Sequence, residues 1–131
     1  MKNLFRKLLG DRGERTAVRY LKQQGFQILE RGCRTTFGEV DIVAIDGSHI
    51  VFVEVKTRSS LERGSPFEAV DQRKQQTLTR AALSWLKQKR RLDQPARFDV
   101  ISILWPEESG EPRITHFRTA FDAAGTGRMF G

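Results

Sequence analysis

Two acids and a lysine, Asp41, Glu54 and Lys56, stand in a stretch that otherwise reads as a buried hairpin. The stretch is FGEVDIVAIDGSHIVFVEVKTR, residues Phe37 to Arg58, and it holds a further acid, Glu39. Charges in a buried strand are costly unless they are paired or bind a metal. Carboxylates on neighbouring strands offer the oxygens that a hard divalent ion such as Mg²⁺ takes, with waters and phosphate oxygens completing its shell. An ammonium two residues beyond one of them can stabilise the charge that develops on a phosphate. The chemistry open to this set is phosphodiester hydrolysis. The competing account is a half-exposed strand end whose acids and lysines make surface ion pairs of little worth.

The geometry of the set depends on the turn. Asp46-Gly47 is a favoured two-residue hairpin turn. It pairs Ile45 with Ser48, Asp41 with Phe52 and Glu39 with Glu54. Alternation then puts Glu39, Asp41, Glu54 and Lys56 on one face at one end of the hairpin. A turn one residue longer splits the acids between faces. Glu39 opposite Glu54 would repel unless a cation sits between them or one leans to solvent. The expectation is a Mg²⁺ or Mn²⁺ site on Asp41 and Glu54, to which the Val55 main-chain carbonyl could add a third ligand.

The elements around the hairpin follow from periodicity. Ala17, Val18 and Leu21 form an apolar stripe that predicts a helix over Gly13 to Gln24, with Gly25 as its stop. A strand is expected over Phe26 to Arg34, and the hairpin strands over Glu39 to Ile45 and His49 to Thr57. Arg58 to about Pro66 reads as a loop. Phe67 to Arg91 reads as a long helix whose apolar face is Leu78, Ala81, Ala82, Trp85 and Leu86. Asp93 to Pro95 breaks it, ARFDVISIL is a strand, and RITHFRT is a candidate for another. The Gly-rich tail from Ala120 is expected to fray. The order α-β-β-β-α-β predicts an α/β fold, a mixed sheet flanked by helices. Ile50 to Val55, apolar on both faces, should lie centrally.

Composition narrows the partners. The chain has 131 residues, enough for one domain with a single core. No apolar run is long enough for a transmembrane helix, and the lone cysteine, Cys33, excludes an internal disulfide and a Cys-rich zinc site. A reducing cytoplasm fits these features. The net charge is +7, and Arg73 to Arg97 carries eight basic residues against one acid, Asp93. Such a face attracts polyanions, chiefly nucleic acid, or is simply a solvated helix surface. Arg34, Arg58, Arg73, Lys74 and Arg80 are the expected nucleic-acid contacts. His49 and His116 lack a Ser, Cys or second His at a useful spacing, which argues against catalytic roles for them.

Asp41, a gap of twelve residues, then Glu54-Val55-Lys56 resembles the motif of the PD-(D/E)xK nuclease superfamily. The wider text is more specific. GERTAVRYLKQQGFQIL, RTTFGEVDIVAIDGSHIVFVEVKTR, EAVDQRKQQTL and RFDVISI, in this order, resemble the YraN family, itself similar to archaeal Holliday junction resolvases. The resemblance covers about residues 10 to 117. It implies a restriction-endonuclease-like core and a metal-dependent endonuclease acting on structured or branched DNA. The alternative is a nucleic-acid-binding module that retains the fold without cutting. By the resemblance, Asp41, Glu54 and Lys56 match the nuclease motif, and Glu14 matches an acid that the resolvases add to the metal site. Glu14 could equally be an acid favoured by the dipole at a helix start. Glu39 belongs to the Gly-Glu-x-Asp pattern and would assist from behind the ligands, and Lys74 stands where the family has a lysine. Two symmetric cuts in a junction imply a homodimer. Asp99 interrupts an apolar strand, and pairing with Arg97 or Arg58 in a structural role is expected for it. Gly32-Cys33 departs from the family text, in which Asn followed by an aromatic is common.

Overall fold

The mixed sheet expected from the sequence has five strands in the order β1-β2-β3-β4-β5. The computed structural model describes residues 2–59, 70–106 and 110–122. The chain runs α1 (Lys2–Gln23), β1 (Gln27–Thr35), β2 (Gly38–Asp46), β3 (His49–Ser59), α2 (Gln72–Gln88), β4 (Ala96–Trp105) and β5 (Arg113–Phe121). Among the described strands only β3 and β4 are parallel; the crossover between them contains α2. The other neighbours pair antiparallel. No described helix is long and apolar enough to cross a membrane.

Each helix covers one face. Leu78, Ala81, Ala82, Trp85 and Leu86 of α2 pack with Val43, Ile50, Phe52 and Phe98. Ala17, Val18 and Leu21 of α1 pack with Ile42, Val51, Val53 and Ile101. Ile50 to Val53 therefore feed both clusters alternately and are fully enclosed, as a central strand requires. Gly25, at φ +92°, ends α1 in the left-handed region, and Phe26 N–H returns to Leu21 O at 2.9 Å. Asp71 caps α2 by accepting the Lys74 N–H at 2.9 Å, which sets the helix start at Gln72 rather than Phe67. Residues 67–69 and most of the expected loop lie outside the described residues.

Other boundaries differ from expectation as well. Helix α1 begins at Lys2, not Gly13, and runs through Gly10 and Gly13. Strand β5 includes Ala120 and Phe121, which pack on the core; Phe121 stacks on Phe98 with ring centres 4.6 Å apart. The apolar contact outweighs the Gly-rich context that suggested fraying, and residues 123–131 lie outside the described residues. The hairpin turns on Gly47-Ser48, so that Asp46 pairs with His49 and Ile45 with Ile50. Asp46 is kept in the strand by Arg97 Nη2 at 2.8 Å and Arg118 Nη1 at 3.1 Å. The register thus moves by two residues, which leaves the paired side chains from Ile42 to Asp46 on their expected faces but changes their partners.

Arg97 belongs to a buried polar cluster at this end of the sheet. Asp99, with 0% of its surface exposed, receives Arg97 Nε at 3.0 Å, Thr119 N–H at 3.0 Å and the His116 ring at 2.8 Å. Tyr20 of α1 meets the other ring nitrogen of His116 at 3.1 Å. The structural pairing of Asp99 with Arg97 is as expected; His116 and Tyr20 extend it. Burial opposes ionisation of Asp99, but the hydrogen bonds outweigh it and hold the carboxyl below its usual range.

Helix α1 crosses β3 at Gly13, where a β-carbon would fall on the Thr57 hydroxyl and 3.0 Å from Thr57 Cβ. Alanine raises helix propensity by about 1 kcal/mol over glycine. Overpacking against a central strand typically costs about 1–3 kcal/mol. Gly13→Ala is therefore expected to lower the melting temperature, and Thr57→Ala to recover part of the loss in a double-mutant cycle. Additive effects of the two substitutions would show that the close crossing is unimportant.

Candidate active site

Strands β2 and β3 stop pairing at Ile42 and Val53, one residue short of Asp41 and Glu54. The observed register sets those two acids opposite each other, where the sequence reading had set Glu39 opposite Glu54. Alternation also fails just here: Val40 joins the α2-side cluster with Val43, while Ile42 lies in the other. Freed from the ladder, Asp41 turns its carboxylate onto the β3 main chain, and Oδ2 accepts the Val55 N–H at 2.8 Å.

Asp41 acts directly on Glu54, its neighbour across the two strands. Glu54 keeps only 13% of its side chain exposed. Burial first, then the hydrogen bond and charge of Asp41, push its carboxyl up to about 9. Near neutrality the Glu54 carboxyl therefore keeps its proton. Lys74, in the first turn of α2, brings Nζ within 3.4 Å of Glu54 Oε2. The contact lacks the angles of a hydrogen bond, so this buried oxygen has no hydrogen-bond partner among the described residues. A buried acceptor left in this way costs about 1–3 kcal/mol.

Glu14 reaches the same region from α1. It sits roughly three turns inside the helix, so a dipole role at a helix start does not apply. Burial and then the charge of Asp41 raise its pKa, while Arg31, 3.9 Å away, partly offsets them. Glu39 pairs across to β1, where Arg34 Nε lies 3.7 Å from its Oε2. That draws it away from Glu54, although its charge still acts on Glu14. Lys56 is half-buried two residues beyond Glu54, on the same side of β3. Among the described residues no group of three or more His, Cys, Asp or Glu side chains is arranged to hold a metal ion. The site is a two-carboxylate pair with a third acid within electrostatic reach. Cys33, buried in the core, is pushed up to about 12, chiefly by burial, and stays a protonated thiol.

The expected polyanion contacts divide. Arg34, Arg73 and Arg80 are exposed, and Lys74 is half-exposed on Glu54. Arg58 is 7% exposed and engaged within the protein, so it is not presented to a polyanion. The expectation ended β3 at Thr57; the strand continues to Ser59, and Arg58 pairs with Leu104 inside the parallel ladder. Lys87, exposed on α2, and the half-exposed Phe37 are not among the expected contacts. Arg73, Arg80 and Lys87 recur every seven residues, a spacing that drifts by only about 20° per step around a helix. That periodicity was the available signal for Lys87, and nothing local marked Phe37.

A UPF0102 protein of Geobacter metallireducens is 51% identical over 123 residues, covering 93% of this chain and 98% of its own. One from Rhodopirellula baltica is 40% identical over 94% of this chain and 75% of its own. One from Rhodococcus opacus is 43% identical over 86% of this chain and 95% of its own. The model of the uncharacterised protein family UPF0102 matches residues 13–103, a span that holds Glu14, Asp41, Glu54, Lys56 and the whole of α2. On that match and those identities, the chain belongs to the UPF0102, or YraN, family.

Proposed function

We propose that this protein is a divalent-cation-dependent endonuclease acting on structured or branched DNA. The observation that carries the reading is the Asp41–Glu54 pair, in which one buried oxygen accepts no hydrogen bond among the described residues and meets Lys74 Nζ at 3.4 Å, with Lys56 two residues on. A lone buried carboxylate pair is unfavourable, and a cation relieves it. Asp41 and Glu54 would hold Mg²⁺ or Mn²⁺, with the Val55 carbonyl and Glu14 as further ligands and Glu39 supporting from β1. A bound ion would supply polarisation of the phosphate and a more acidic water. Lys56 sets its ammonium against the charge that grows on the phosphate oxygens. Lys74, which now faces Glu54, becomes free to meet a phosphate once a cation takes over that carboxylate. Arg73 and Arg80 extend the positive path along α2 and orient the backbone. Cutting both strands of a junction symmetrically would require two copies of the chain.

Calorimetry with MnCl₂ and MgCl₂ tests the cation site directly. Weak binding is expected without DNA, because Mg²⁺ sheds water reluctantly. Asp41→Asn is expected to weaken it by ~10-fold or more, the lower end of the losses seen when the surroundings of a metal are altered. Identical titrations for both proteins would place the cation elsewhere. The same reading is tested for activity by incubating labelled duplex, flap, four-way and single-stranded DNA, and RNA, with Mg²⁺, Mn²⁺ or EDTA. Binding without cleavage on every substrate would favour the non-cutting nucleic-acid-binding module.

A further inference from the structure

The tip that joins β1 to β2 faces α2 across a cavity of about 800 Å³. Arg34 and Phe37 line it from the tip; Arg80, Leu83, Ser84 and Lys87 line it from the helix. No acid is among the described lining residues, although Arg34 also reaches out to Glu39 at 3.7 Å in an exposed, weak pair. The cavity is separate from the carboxylate pair. Arg80 lies six residues beyond Lys74 on α2, roughly 9 Å along the axis, and Lys87 roughly 20 Å.

The tip is built to hold its shape. Thr35 Oγ1 donates to Gly38 O at 2.8 Å and accepts the Phe37 N–H at 3.1 Å. Gly38 has φ +146°, and a β-carbon there would lie 2.7 Å from Thr77 Cγ2, so the tip sits directly on α2. Phe37 is nonetheless 49% exposed, and Leu83 beside it is 37% exposed. Burying a phenylalanine side chain is worth roughly 1.5–3 kcal/mol, so a fixed backbone that presents this ring to solvent forgoes that gain.

The cavity therefore offers an aromatic face, an apolar floor and three cations. The complementary ligand is a polyanion that also exposes flat apolar rings. Duplex DNA hides its base faces in the stack, whereas an unpaired strand displays them. We propose that this cavity seats an unpaired segment of DNA, one base stacked on Phe37 and its phosphates on Arg34, Arg80 and Lys87. The proposal rests on the nucleic-acid reading of the carboxylate site and sharpens it. Along α2, Lys74 therefore lies only a few nucleotide lengths from Arg80 and Lys87. The substrate class is DNA with unpaired nucleotides a few positions from the phosphate that is cut.

The test is binding by the full chain in EDTA to oligo-dT of about 12 nucleotides, a size within the range of single-strand sites, to a duplex of equal length and to oligo-U. Phe37→Ala is expected to weaken oligo-dT binding by ~5- to 100-fold, the span of a lost base–aromatic stack. Duplex affinity should be unchanged, Phe37→Trp should retain oligo-dT binding, and the melting temperature should stay constant because the ring is exposed. A fluorescent purine analogue in the strand should be quenched by wild type and not by Phe37→Ala. Equal oligo-dT affinity in wild type and Phe37→Ala, or equal losses on single strand and duplex, would overturn the proposal. Wild type that binds duplex but not oligo-dT removes the seat and leaves the nuclease reading standing; wild type that binds no nucleic acid removes both. Tighter binding of oligo-U than oligo-dT would overturn the assignment to DNA.

Discussion

Asp41→Ala is expected to abolish Mg²⁺-dependent cleavage, by at least ~100-fold, while DNA binding in EDTA stays equal or becomes tighter. The loss in rate follows from removing one of two carboxylates that would hold the ion, since even changes behind such ligands cost about 10- to 100-fold. The unchanged affinity follows from charge. Without a cation the pair places negative charge beside the phosphate path and opposes DNA. Asp41 also caps the Val55 N–H at 2.8 Å, so Asp41→Asn, which keeps an acceptor oxygen there, is the control for local unfolding. Lys56→Ala should lower the rate by ~100-fold or more, as removal of one electrostatic stabiliser does, with a small loss of binding. If wild type and all three variants cut at the same rate, the activity belongs to a contaminant and the nuclease reading falls.

The second large effect concerns stability. Asp99→Asn is expected to destabilise the fold by ~3 kcal/mol and Asp99→Ala by up to ~5 kcal/mol, the range for breaking a buried ion pair on one side. Asp99 is fully enclosed and serves Arg97, His116 and the Thr119 N–H at once; asparagine can satisfy only part of that set. For a chain of this size the loss corresponds to a fall in melting temperature of roughly 10–20 °C. The pH dependence has a fixed sign. The Asp99 carboxyl is held below its usual value in the folded state. Its contribution is therefore complete above its unfolded pKa of about 3.9 and is lost as pH falls through the lower folded value. Wild type should lose stability more steeply than Asp99→Asn below about pH 4. Parallel acid-unfolding curves for the two proteins would show that another carboxylate dominates. Cleavage measured well below the melting temperature should survive in Asp99→Asn, because Asp46, at this end of β2, lies five residues from Asp41, roughly 17 Å along the strand.

What could be read from the sequence was whatever repeats within a few residues. The stripe Ala17, Val18, Leu21 and the face Leu78, Ala81, Ala82, Trp85 announce helices, and both faces of Ile50 to Val53 announce a central strand. The period of two also places Glu54 and Lys56 on one side of β3, and a two-residue shift of register leaves the faces of the paired residues unchanged; Asp41 reaches Glu54 beyond the last pair, where alternation in β2 breaks. Which acid meets which was decided elsewhere. Arg97, distant in the chain, draws Asp46 out of the turn, and that puts Asp41, not Glu39, opposite Glu54. Glu14 arrives beside Asp41 because Gly13 lets α1 press on Thr57; Lys74 arrives beside Glu54 because Asp71 pins the start of α2. Arg58 reads as a surface cation and is buried, since a strand's end depends on its neighbour as well as on its own residues. Asp99 meets His116, and Phe37 and Lys87 come to line one cavity, only after the sheet and α2 have assembled. Periodicity is a property of consecutive residues, whereas an ion pair or a close crossing is a property of two surfaces that the chain brings together, and only the tertiary structure specifies the pair.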